Sequence, residues 1–352
     1  MNRSHCISQY EVFRQLRFPM IVLVTFAHSY GGVDEGFLLL TSEWNTYEFL
    51  RLLISQTLVK VAMPVFFIMS GYLFFANVDV WNFKVYKTKI WRRIKTLLIP
   101  YLIWNLLMAI KLKTFSWSMF WAYWEPAGVQ IDWFGQEQLM TAPANMPLWF
   151  LRDLMTVSLL TPIIYLLIRK LGYWLIGLLT ILYLSGVYSF IPGLSAYAVY
   201  FFMFGAFLSI RKMDLVASLK RVEIPAYVLS ILFALSMLLT YNIPVFSSLM
   251  LCFRLTGAVS IFCLASRFLS STDRRLPAIV CDSSYFIYLA HYVFFFSFID
   301  TAFFALFGTS IPALSIHYLL CPFIKVAIFV GVYFIYRKHC SFTFGFDYFL
   351  RK

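Results

Sequence analysis

Residues 17–33 read RFPMIVLVTFAHSYGGV, an arginine followed by an apolar run that contains one histidine. A helix that crosses a membrane needs about 20 predominantly apolar residues, and this segment is close to that length. Similar runs recur along the whole chain, so the sequence predicts an all-α membrane protein, a polytopic bundle of about ten transmembrane helices. The predicted spans are residues 17–33, 53–77, 95–112, 147–168, 173–189, 194–210, 224–241, 247–268, 284–307 and 312–336.

The composition excludes a water-soluble globular protein. Of the 352 residues, 61% are hydrophobic and 13% are charged, whereas a soluble domain carries about 25% charged residues. The mean hydropathy is +0.78. Because the spans fill the chain from end to end, we expect a single transmembrane domain over residues 1–352, without a soluble C-terminal domain.

The charge pattern predicts the orientation of the bundle. Most of the 29 basic residues fall in alternate connections between the spans, and the cytoplasmic loops of membrane proteins carry an excess of Lys and Arg. Both termini are therefore predicted to be cytoplasmic, and the net charge of +13 is assigned to membrane lipids rather than to nucleic acid. The basic residues of these connections are Arg3, Arg14, Arg17, Lys84, Lys87, Lys89, Arg92, Arg93, Lys95, Arg169, Lys170, Arg211, Lys212, Lys220, Arg221, Arg267, Arg274, Arg275, Arg337, Lys338, Arg351 and Lys352.

The long connection between the third and fourth spans, about residues 113–146, is rich in tryptophan. It carries Trp117, Trp121, Trp124 and Trp133. Aromatic side chains gather at membrane interfaces, so an interfacial belt or a helix on the membrane surface is one interpretation. A lid or a platform on which sugar rings stack is the other.

The six cysteines show neither paired spacing nor metal-ligand spacing. Some of them fall inside the predicted spans, so we expect buried or cytoplasmic thiols rather than disulfides or a zinc site. The sequence therefore predicts no metal centre.

Ionisable side chains within spans cost free energy and are candidates for function. His28 follows Arg17 by eleven residues, which places the two side chains within about 20° of one helix face and about 16 Å apart along the axis. An imidazole in the membrane interior can act as a general base near neutral pH, and a structural hydrogen bond to a neighbouring helix is the alternative. The other ionisable residues within or near spans are Arg51, Lys60, Arg152, Asp153, Arg254, His291, His317 and Lys325.

Polar residues at helical spacing provide further candidates. Ser284, Tyr288 and His291 fall on one face of the ninth span, either for chemistry or for hydrogen bonding between helices. Ser70 and Gly71 either belong to the site or form a helix contact between small residues.

Arg92, Arg93 and Lys95 form a basic cluster before the third span. Such a cluster sets membrane topology or holds phosphate groups, which arginine binds through two parallel hydrogen bonds. Arg152 and Asp153 are adjacent in the sequence and are expected to neutralise each other.

Four blocks of the chain, taken together, resemble acyltransferase family 3, a family of integral-membrane O-acyltransferases. The blocks are LR at 16–17 followed at the family spacing by His28, FFIMSGYL at 66–73, RRIK at 92–95 with IPY at 99–101, and SYFIYLAH at 284–291. The stretch PLWFLRDL at 147–154 is similar to a block of one branch of the family. The order of the blocks and the count of ten spans agree with the family.

The resemblance implies an enzyme that moves an acyl group, usually acetyl, from cytoplasmic acyl-CoA to a hydroxyl of a cell-surface or lipid-linked carbohydrate. It implies the inner membrane of a bacterium, acetyl-CoA as acyl donor and no metal. It also implies a catalytic role for His28 and binding of the donor's phosphates by Arg17 and Arg93. The chain departs from the family at Phe18, where glycine is usual, and at Thr96, where a second arginine often stands.

These residues combine into one mechanistic hypothesis. Arg17, Arg92, Arg93 and Lys95 hold the phosphates of the acyl-CoA, and His28 removes the proton from the acceptor hydroxyl that attacks the thioester. A hydrogen-bond donor at the developing oxyanion lowers the barrier, and the candidate donors are Ser70, Tyr288 and His291. A carboxylate that orients His28 fits the same scheme, and the candidates are Asp34, Glu35 and Asp153.

Two other classes of function use the same residues differently. A transporter or flippase of an anionic or lipid-linked solute uses the charges within the membrane as a binding site and performs no chemistry. A non-catalytic membrane partner of a glycan assembly complex does not depend on His28 at all.

Overall fold

The computed structural model describes residues 7–29, 45–113, 125–131, 137–186, 193–241, 243, 245–272, 274–294 and 296–339, and it describes side chains in all of these except 125–131 and 137–142. In chain order the helices are α1 (Gln9–Ala27), α2 (Thr46–Arg51), α3 (Ala62–Phe75), α4 (Phe83–Arg93), α5 (Ile99–Leu112), α6 (Trp149–Leu159), α7 (Thr161–Leu171), α8 (Tyr173–Leu184), α9 (Ala196–Ile210), α10 (Leu215–Lys220), α11 (Glu223–Leu239), α12 (Val245–Ser271), α13 (Ala278–Ala290), α14 (Ser297–Phe307) and α15 (Ile311–His339).

Two pairs of these helices are joined by irregular helical turns rather than by loops. A π-helical segment (Leu52–Thr57) and a 3₁₀ segment (Leu58–Val61) connect α2 to α3, and a second π-helical segment (Ile94–Leu98) connects α4 to α5. Irregular turns inside long helices are common at functional sites and hinges. Both segments contain or adjoin residues that are predicted from the sequence to be functional candidates.

Several helices are long and apolar enough to cross a membrane, which agrees with a helical membrane protein. Four helices meet that test by length and composition, and the bent pair α6 and α7 is a fifth if it counts as one span. The other apolar helices of the described residues are shorter. The count of ten spans and the side on which the termini lie stay predictions. The four helices are Thr46–Phe75, Phe83–Leu112, Val245–Ser271 and Ile311–His339.

The structure differs from the predicted spans at three places. The predicted span 284–307 is two helices, because α13 ends at Ala290 and α14 begins at Ser297. The predicted span 147–168 is α6 and α7, which are bent by 64°. Pro162 stands in the first turn of α7, and its missing N–H cannot continue the hydrogen bonds of α6. The first helix begins earlier and ends earlier than predicted, at Gln9 and Ala27.

The described part of the tryptophan-rich connection contains a short antiparallel hairpin. Strands β1 (Glu125–Ile131) and β2 (Glu137–Ala142) pair with each other, with an irregularity between Pro126 and Gly128. The four tryptophans of this connection lie outside the described residues.

Short polar side chains cap several helices and define where they begin. The Oδ1 atom of Asn82 accepts a hydrogen bond of 3.0 Å from the amide of Val85, and the Oδ1 atom of Asp214 accepts one of 2.8 Å from the amide of Ala217. Such caps satisfy amide groups that the first turn of a helix leaves without partners. The cap at Asn82 sets the start of α4, which carries the basic cluster.

Helix α1 lies inside the bundle and packs against α12, α13 and α15. Val12, Phe13 and Ile21 are each 1% exposed or less, so several faces of the helix are covered. At its start, the Nε2 atom of Gln9 donates a hydrogen bond of 2.7 Å to the hydroxyl of Tyr72 on α3. The helix that carries Arg17 and ends directly before His28 is therefore held in place by several neighbours.

Helices α3 and α9 touch through their backbones at two glycines. A Cβ atom added at Gly71 would lie 2.0 Å from the carbonyl oxygen of Phe202, and one added at Gly205 would lie 2.0 Å from that of Ile68. Small residues allow helices in membranes to approach this closely. Of the two interpretations of Ser70 and Gly71, the helix contact therefore applies to Gly71.

We expect the variant Gly205→Ala to unfold at a lower temperature and to yield less folded protein. Its methyl group meets a backbone carbonyl that cannot move aside, and overpacking a core costs about 1–3 kcal/mol. Gly177→Ala is the matched control, because an added Cβ at Gly177 in α8 has no atom within 4 Å. Thermal unfolding in detergent measures both, and equal melting of the two variants would contradict the close packing of α3 on α9.

Candidate active site

A basic cleft lies at the end of the bundle where α1 begins. Arg17 on α1 and Arg92 and Arg93 at the end of α4 line a cavity of about 570 Å³. Arg14 and Lys89 line the same cavity. Neither residue was predicted from the sequence as a ligand-binding residue, although each lies about one helical turn before a predicted arginine. The cleft thus gathers five cationic side chains from two helices.

The buried ring of Phe74 forms an apolar floor beneath two of these cations. The Nζ atom of Lys89 and the Cζ atom of Arg93 each lie 5.5 Å from the centroid of that ring, and aromatic faces attract cations. The Nη2 atom of Arg93 also donates a hydrogen bond of 3.4 Å to the carbonyl oxygen of Ser70. These contacts hold Arg93 at the level of Ser70 on α3.

Two carboxylates, Glu11 and Asp282, also line the cleft. Asp282 accepts a hydrogen bond of 2.9 Å from Nη1 of Arg337 on α15, and Glu11 accepts one of 2.9 Å from Gln15. Five cations against two carboxylates leave the cleft positive. A cleft of this charge suits an anionic ligand such as a phosphate group.

Lys95 is the predicted donor-binding residue that does not line the cleft. Its side chain is exposed, and its Nζ atom lies 5.4 Å from the ring centroid of Trp91. The π-helical segment Ile94–Leu98 begins directly after Arg93. A π-helical turn takes up more residues than an α-helical turn, so Lys95 no longer shares a face with Arg92. Its role at the donor site stays a prediction.

A narrow, mainly apolar tunnel adjoins the cleft, and the two share Arg17, Leu73 and Asp282 in their walls. Its volume is about 90 Å³, much smaller than that of the cleft. Along α13 the wall runs from Asp282 to Tyr288 and leads away from the basic cleft towards His291. The other lining residues are Phe66, Met69, Ser70, Leu97, Phe150, Leu151, Leu154, Cys281, Ser284 and Tyr285.

His28 and His291 come together beyond the tunnel. Their ring centroids are 5.3 Å apart, and the ring of Tyr292 lies 5.5 Å from that of His28. The ring of Tyr288, in the tunnel wall, lies 6.3 Å from that of His291. Neither histidine lines the tunnel. Tyr288 therefore stands between the tunnel and the histidine pair.

The surroundings of His291 determine which ring nitrogen carries the proton. The Nδ1 atom lies 2.8 Å from the carbonyl oxygen of Tyr288 and 3.1 Å from that of Ile287. A carbonyl oxygen only accepts, so Nδ1 is assigned the hydrogen. The Nε2 atom is buried and has no hydrogen-bond partner in the part of the chain that the structure describes. In the neutral ring this atom is an acceptor.

The three candidate oxyanion donors lie in different surroundings. The hydroxyl of Tyr288 donates a hydrogen bond of 2.5 Å to the carbonyl oxygen of Pro147, and the Nδ1 hydrogen of His291 is directed to backbone carbonyls. Ser70 lines the tunnel, and Arg93 bonds to its backbone. The oxyanion role stays a prediction for all three. Tyr292, beside His28, was missed, although it follows Tyr288 at helical spacing.

Of the three candidate carboxylates, Asp153 is the one that lies in the described residues, and its partners are Arg152 and Ser195. Asp34 and Glu35 lie outside the described residues. Asp153 is 1% exposed and accepts hydrogen bonds from Arg152, at 3.0 Å, and from Ser195. Arg152 and Asp153 therefore neutralise each other, as expected from the sequence. Among the described residues, the aromatic neighbours of the His28 ring are the imidazole of His291 and the phenol of Tyr292.

A second buried polar cluster lies between α14 and α15. The side chains of His317 and Lys325 each lie 2.8 Å from the carboxylate of Asp300, and all three residues are buried. Asp300, His317 and Cys321 place possible metal-ligating atoms within 4.8 Å of one another. The Lys325 ammonium already supplies a positive charge at Asp300, so this cluster fits an internal ion pair. His317 and Lys325 were candidates from the sequence, and Asp300 was not.

A comparison with known families decides what kind of protein carries this site. A family model described as an acyltransferase domain matches residues 13–337. The chain belongs to this acyltransferase family. The match confirms the resemblance drawn from the four sequence blocks. It also includes the acyltransferase's basic cleft from Arg14 onwards, its tunnel and both histidines.

One curated relative of the acyltransferase is the succinoglycan biosynthesis protein ExoH of Rhizobium meliloti (strain 1021). The two are 29% identical over 169 residues, a match that covers 44% of this chain and 42% of the relative. The chain thus spans less than half the length of this relative in the match. No solved structure matches the chain.

Proposed function

We propose that this acyltransferase moves an acyl group, in the simplest case acetyl, from cytoplasmic acyl-CoA to a hydroxyl of a cell-surface or lipid-linked carbohydrate. The observation that carries the proposal is a basic cleft that adjoins a slender apolar tunnel leading towards two histidines. The relative named for succinoglycan biosynthesis supports a carbohydrate acceptor. The proposed location is the inner membrane of a bacterium, with both termini in the cytoplasm.

The cleft has the chemistry needed for the nucleotide end of a coenzyme A thioester. That end carries several phosphate groups, and arginine side chains bind phosphate through two parallel hydrogen bonds. Arg17, Arg92 and Arg93 line one cavity with two further cations. The slender arm of the donor then extends into the tunnel, whose apolar wall excludes water from the thioester.

The chemistry requires one base and one leaving group. His28 takes the proton of the acceptor hydroxyl as the oxygen attacks the thioester carbonyl. The C–S bond then breaks, and the His28 imidazolium returns its proton to the departing coenzyme A thiolate. His291 accepts a hydrogen bond through Nε2 from the imidazolium that forms on His28, the place that a carboxylate takes in a catalytic triad. Tyr288 has to turn aside for the thioester to reach this pair.

The donor site is tested by comparing two exposed cations of α4 and the turn that follows it. Arg92→Ala is expected to raise KM for acetyl-CoA by about three- to tenfold with little change in kcat, because the interaction is lost from ground state and transition state alike. Lys95→Ala is the matched control, since Lys95 lies outside the cleft. Release of coenzyme A by the purified protein in nanodiscs measures both.

An equal rise in KM for the two variants would assign Lys95 to the donor site and contradict the cleft as the boundary of that site. Unchanged KM in Arg92→Ala would remove the donor from the cleft altogether. Mass spectrometry of surface polysaccharides from cells with and without the gene identifies the acceptor.

The transporter alternative makes the opposite prediction for the thioester. A flippase moves a lipid-linked glycan across proteoliposomes without consuming acetyl-CoA, whereas the proposed enzyme releases coenzyme A and labels the glycan. Transport of glycan without loss of radiolabelled acetyl-CoA would replace the proposed function by this alternative.

A further inference from the structure

A lysine lies in the middle of the helical span Thr46–Phe75. Lys60 belongs to the 3₁₀ segment that follows the π-helical turn, and its side chain is half-buried. The ion pairs found among the described residues do not include it. A cation within a membrane span is costly unless an anion or water meets it, so its position requires an explanation.

An unsatisfied hydroxyl lies three residues before this lysine, at the last residue of the π-helical segment. Thr57 is 0% exposed, and its Oγ1 atom has no hydrogen-bond partner within the described ranges. The junction of the π-helical and 3₁₀ segments thus places an unsatisfied hydroxyl and an ammonium group three residues apart.

The packing of the 3₁₀ segment places this pair beside the proposed catalytic site. The segment packs against α1 and α12. A Cβ atom added at Gly257 on α12 would lie 2.6 Å from Cγ1 of Val61, which shows how closely the two elements meet. Arg254 lies one turn before Gly257. Lys60 is near enough to Arg254 and to His28 for electrostatic interaction.

This cationic position is separate from the donor cleft. Lys60 precedes Ser70 by ten residues along the same span, a rise of about 15 Å, and Ser70 is at the level of Arg93. Arg17 and His28 are separated by a similar rise of about 16 Å along α1. Lys60 therefore lies at the level of His28, too deep for the phosphates of a donor bound in the cleft.

We infer that Lys60 and Thr57, with Arg254 behind them, form a second anion site that binds a carboxylate or phosphate group of a substrate held at His28. The inference rests on the proposed function, because it assigns the chemistry of that substrate. Two sources supply such a group. One is an acyl chain with a carboxylate at its far end, and the other is an acidic group on the acceptor carbohydrate.

The variant Lys60→Met tests the site first without turnover. It removes a cation that lacks a carboxylate partner, so the ligand-free protein in nanodiscs is expected to unfold at a temperature about 2 °C higher. Lys325→Met is the matched control, because it strips Asp300 of its ammonium partner and is expected to lower that temperature. Sodium succinate and sodium glucuronate are expected to stabilise the wild type but not Lys60→Met.

Lower unfolding temperatures for both lysine variants would overturn the inference, because Lys60 would then be a structural ion-pair partner. Equal stabilisation of wild type and Lys60→Met by the two salts would overturn it as well. Neither measurement needs catalysis, so both remain decisive if the wild type consumes no acyl-CoA and the proposed function itself fails.

Turnover then identifies the source of the anion. One arm compares succinyl-CoA with acetyl-CoA, and the other compares a glucuronate-containing oligosaccharide with its neutral counterpart. In the arm that matches the true source, the wild type has a higher kcat/KM for the anionic substrate than for its neutral counterpart. Lys60→Met is expected to reduce the ratio of these two kcat/KM values by at least about tenfold. Ratios that are the same in wild type and variant in both arms would overturn the inference.

Discussion

Replacing His28 by alanine is expected to lower the rate of acyl transfer by at least about 100-fold, because positioned acid–base groups contribute about 10²- to 10⁴-fold. His28 directly follows the last residue of α1, and its ring centroid lies 5.3 Å from that of His291. Without its imidazole the acceptor hydroxyl has no base at the level of the thioester. The measurement is transfer of label from acetyl-CoA to glycan by purified protein in nanodiscs.

The loss is expected in kcat rather than in KM for acetyl-CoA, because the cleft that holds the donor's phosphates lies about 16 Å away along α1. His339→Ala is the matched control, since this histidine is exposed at the end of α15. If His28→Ala kept activity within about threefold of wild type, His28 would not be the base. If cells carrying His28→Ala then made the same surface glycans as wild-type cells, a non-catalytic partner role would be favoured.

The helical bundle and the basic end of the site could be predicted from sequence because they depend on local pattern. Apolar runs of fixed length predict helices in a membrane. Arg17, Arg92 and Arg93 lie in separate blocks, and the structure brings them into one cavity. Arg14 and Lys89 belong to the same helix faces, so the pattern already contained them.

Departures from regular helix geometry could not be predicted in this way. The prediction from sequence assumes a regular α-helix with 100° per residue. The π-helical segment Ile94–Leu98 departs from that spacing, so it rotates Lys95 away from Arg92. In the same way, Ser284, Tyr288 and His291 were placed on one long helix, whereas α13 ends at Ala290. Backbone geometry at these turns depends on the packing of neighbouring helices, which a single sequence does not display.

The relative depth of residues on different helices could not be predicted from the sequence either. Ser70, Tyr288 and His291 were equal candidates for one oxyanion donor, but Ser70 lies beside Arg93 and His291 lies beside His28. Distances between spans depend on how far each helix slides along its neighbour. Asp300 was not predicted for a similar reason, because its partners lie on the next helix and come close only when the two helices pack together.

The second large effect is expected at His291, which we propose to position His28. His291→Leu is expected to lower kcat by about 100-fold or more, because the imidazolium that forms on His28 then loses its acceptor. His291→Gln keeps an acceptor oxygen of similar reach and is expected to recover part of that loss. A purely structural role does not predict recovery by glutamine. Steady-state kinetics with acetyl-CoA measure both variants.

The double variant His28→Ala/His291→Leu separates a shared step from two independent ones. If His291 acts only through His28, the double variant is no slower than His28→Ala, because residues that act as a unit are strongly non-additive. Losses that multiply would contradict this relation and assign His291 a step of its own. The acidic limb of the pH–rate profile gives a second readout. A general base must be neutral, so the wild type loses activity as the pH falls, and His28→Ala is expected to lose that limb.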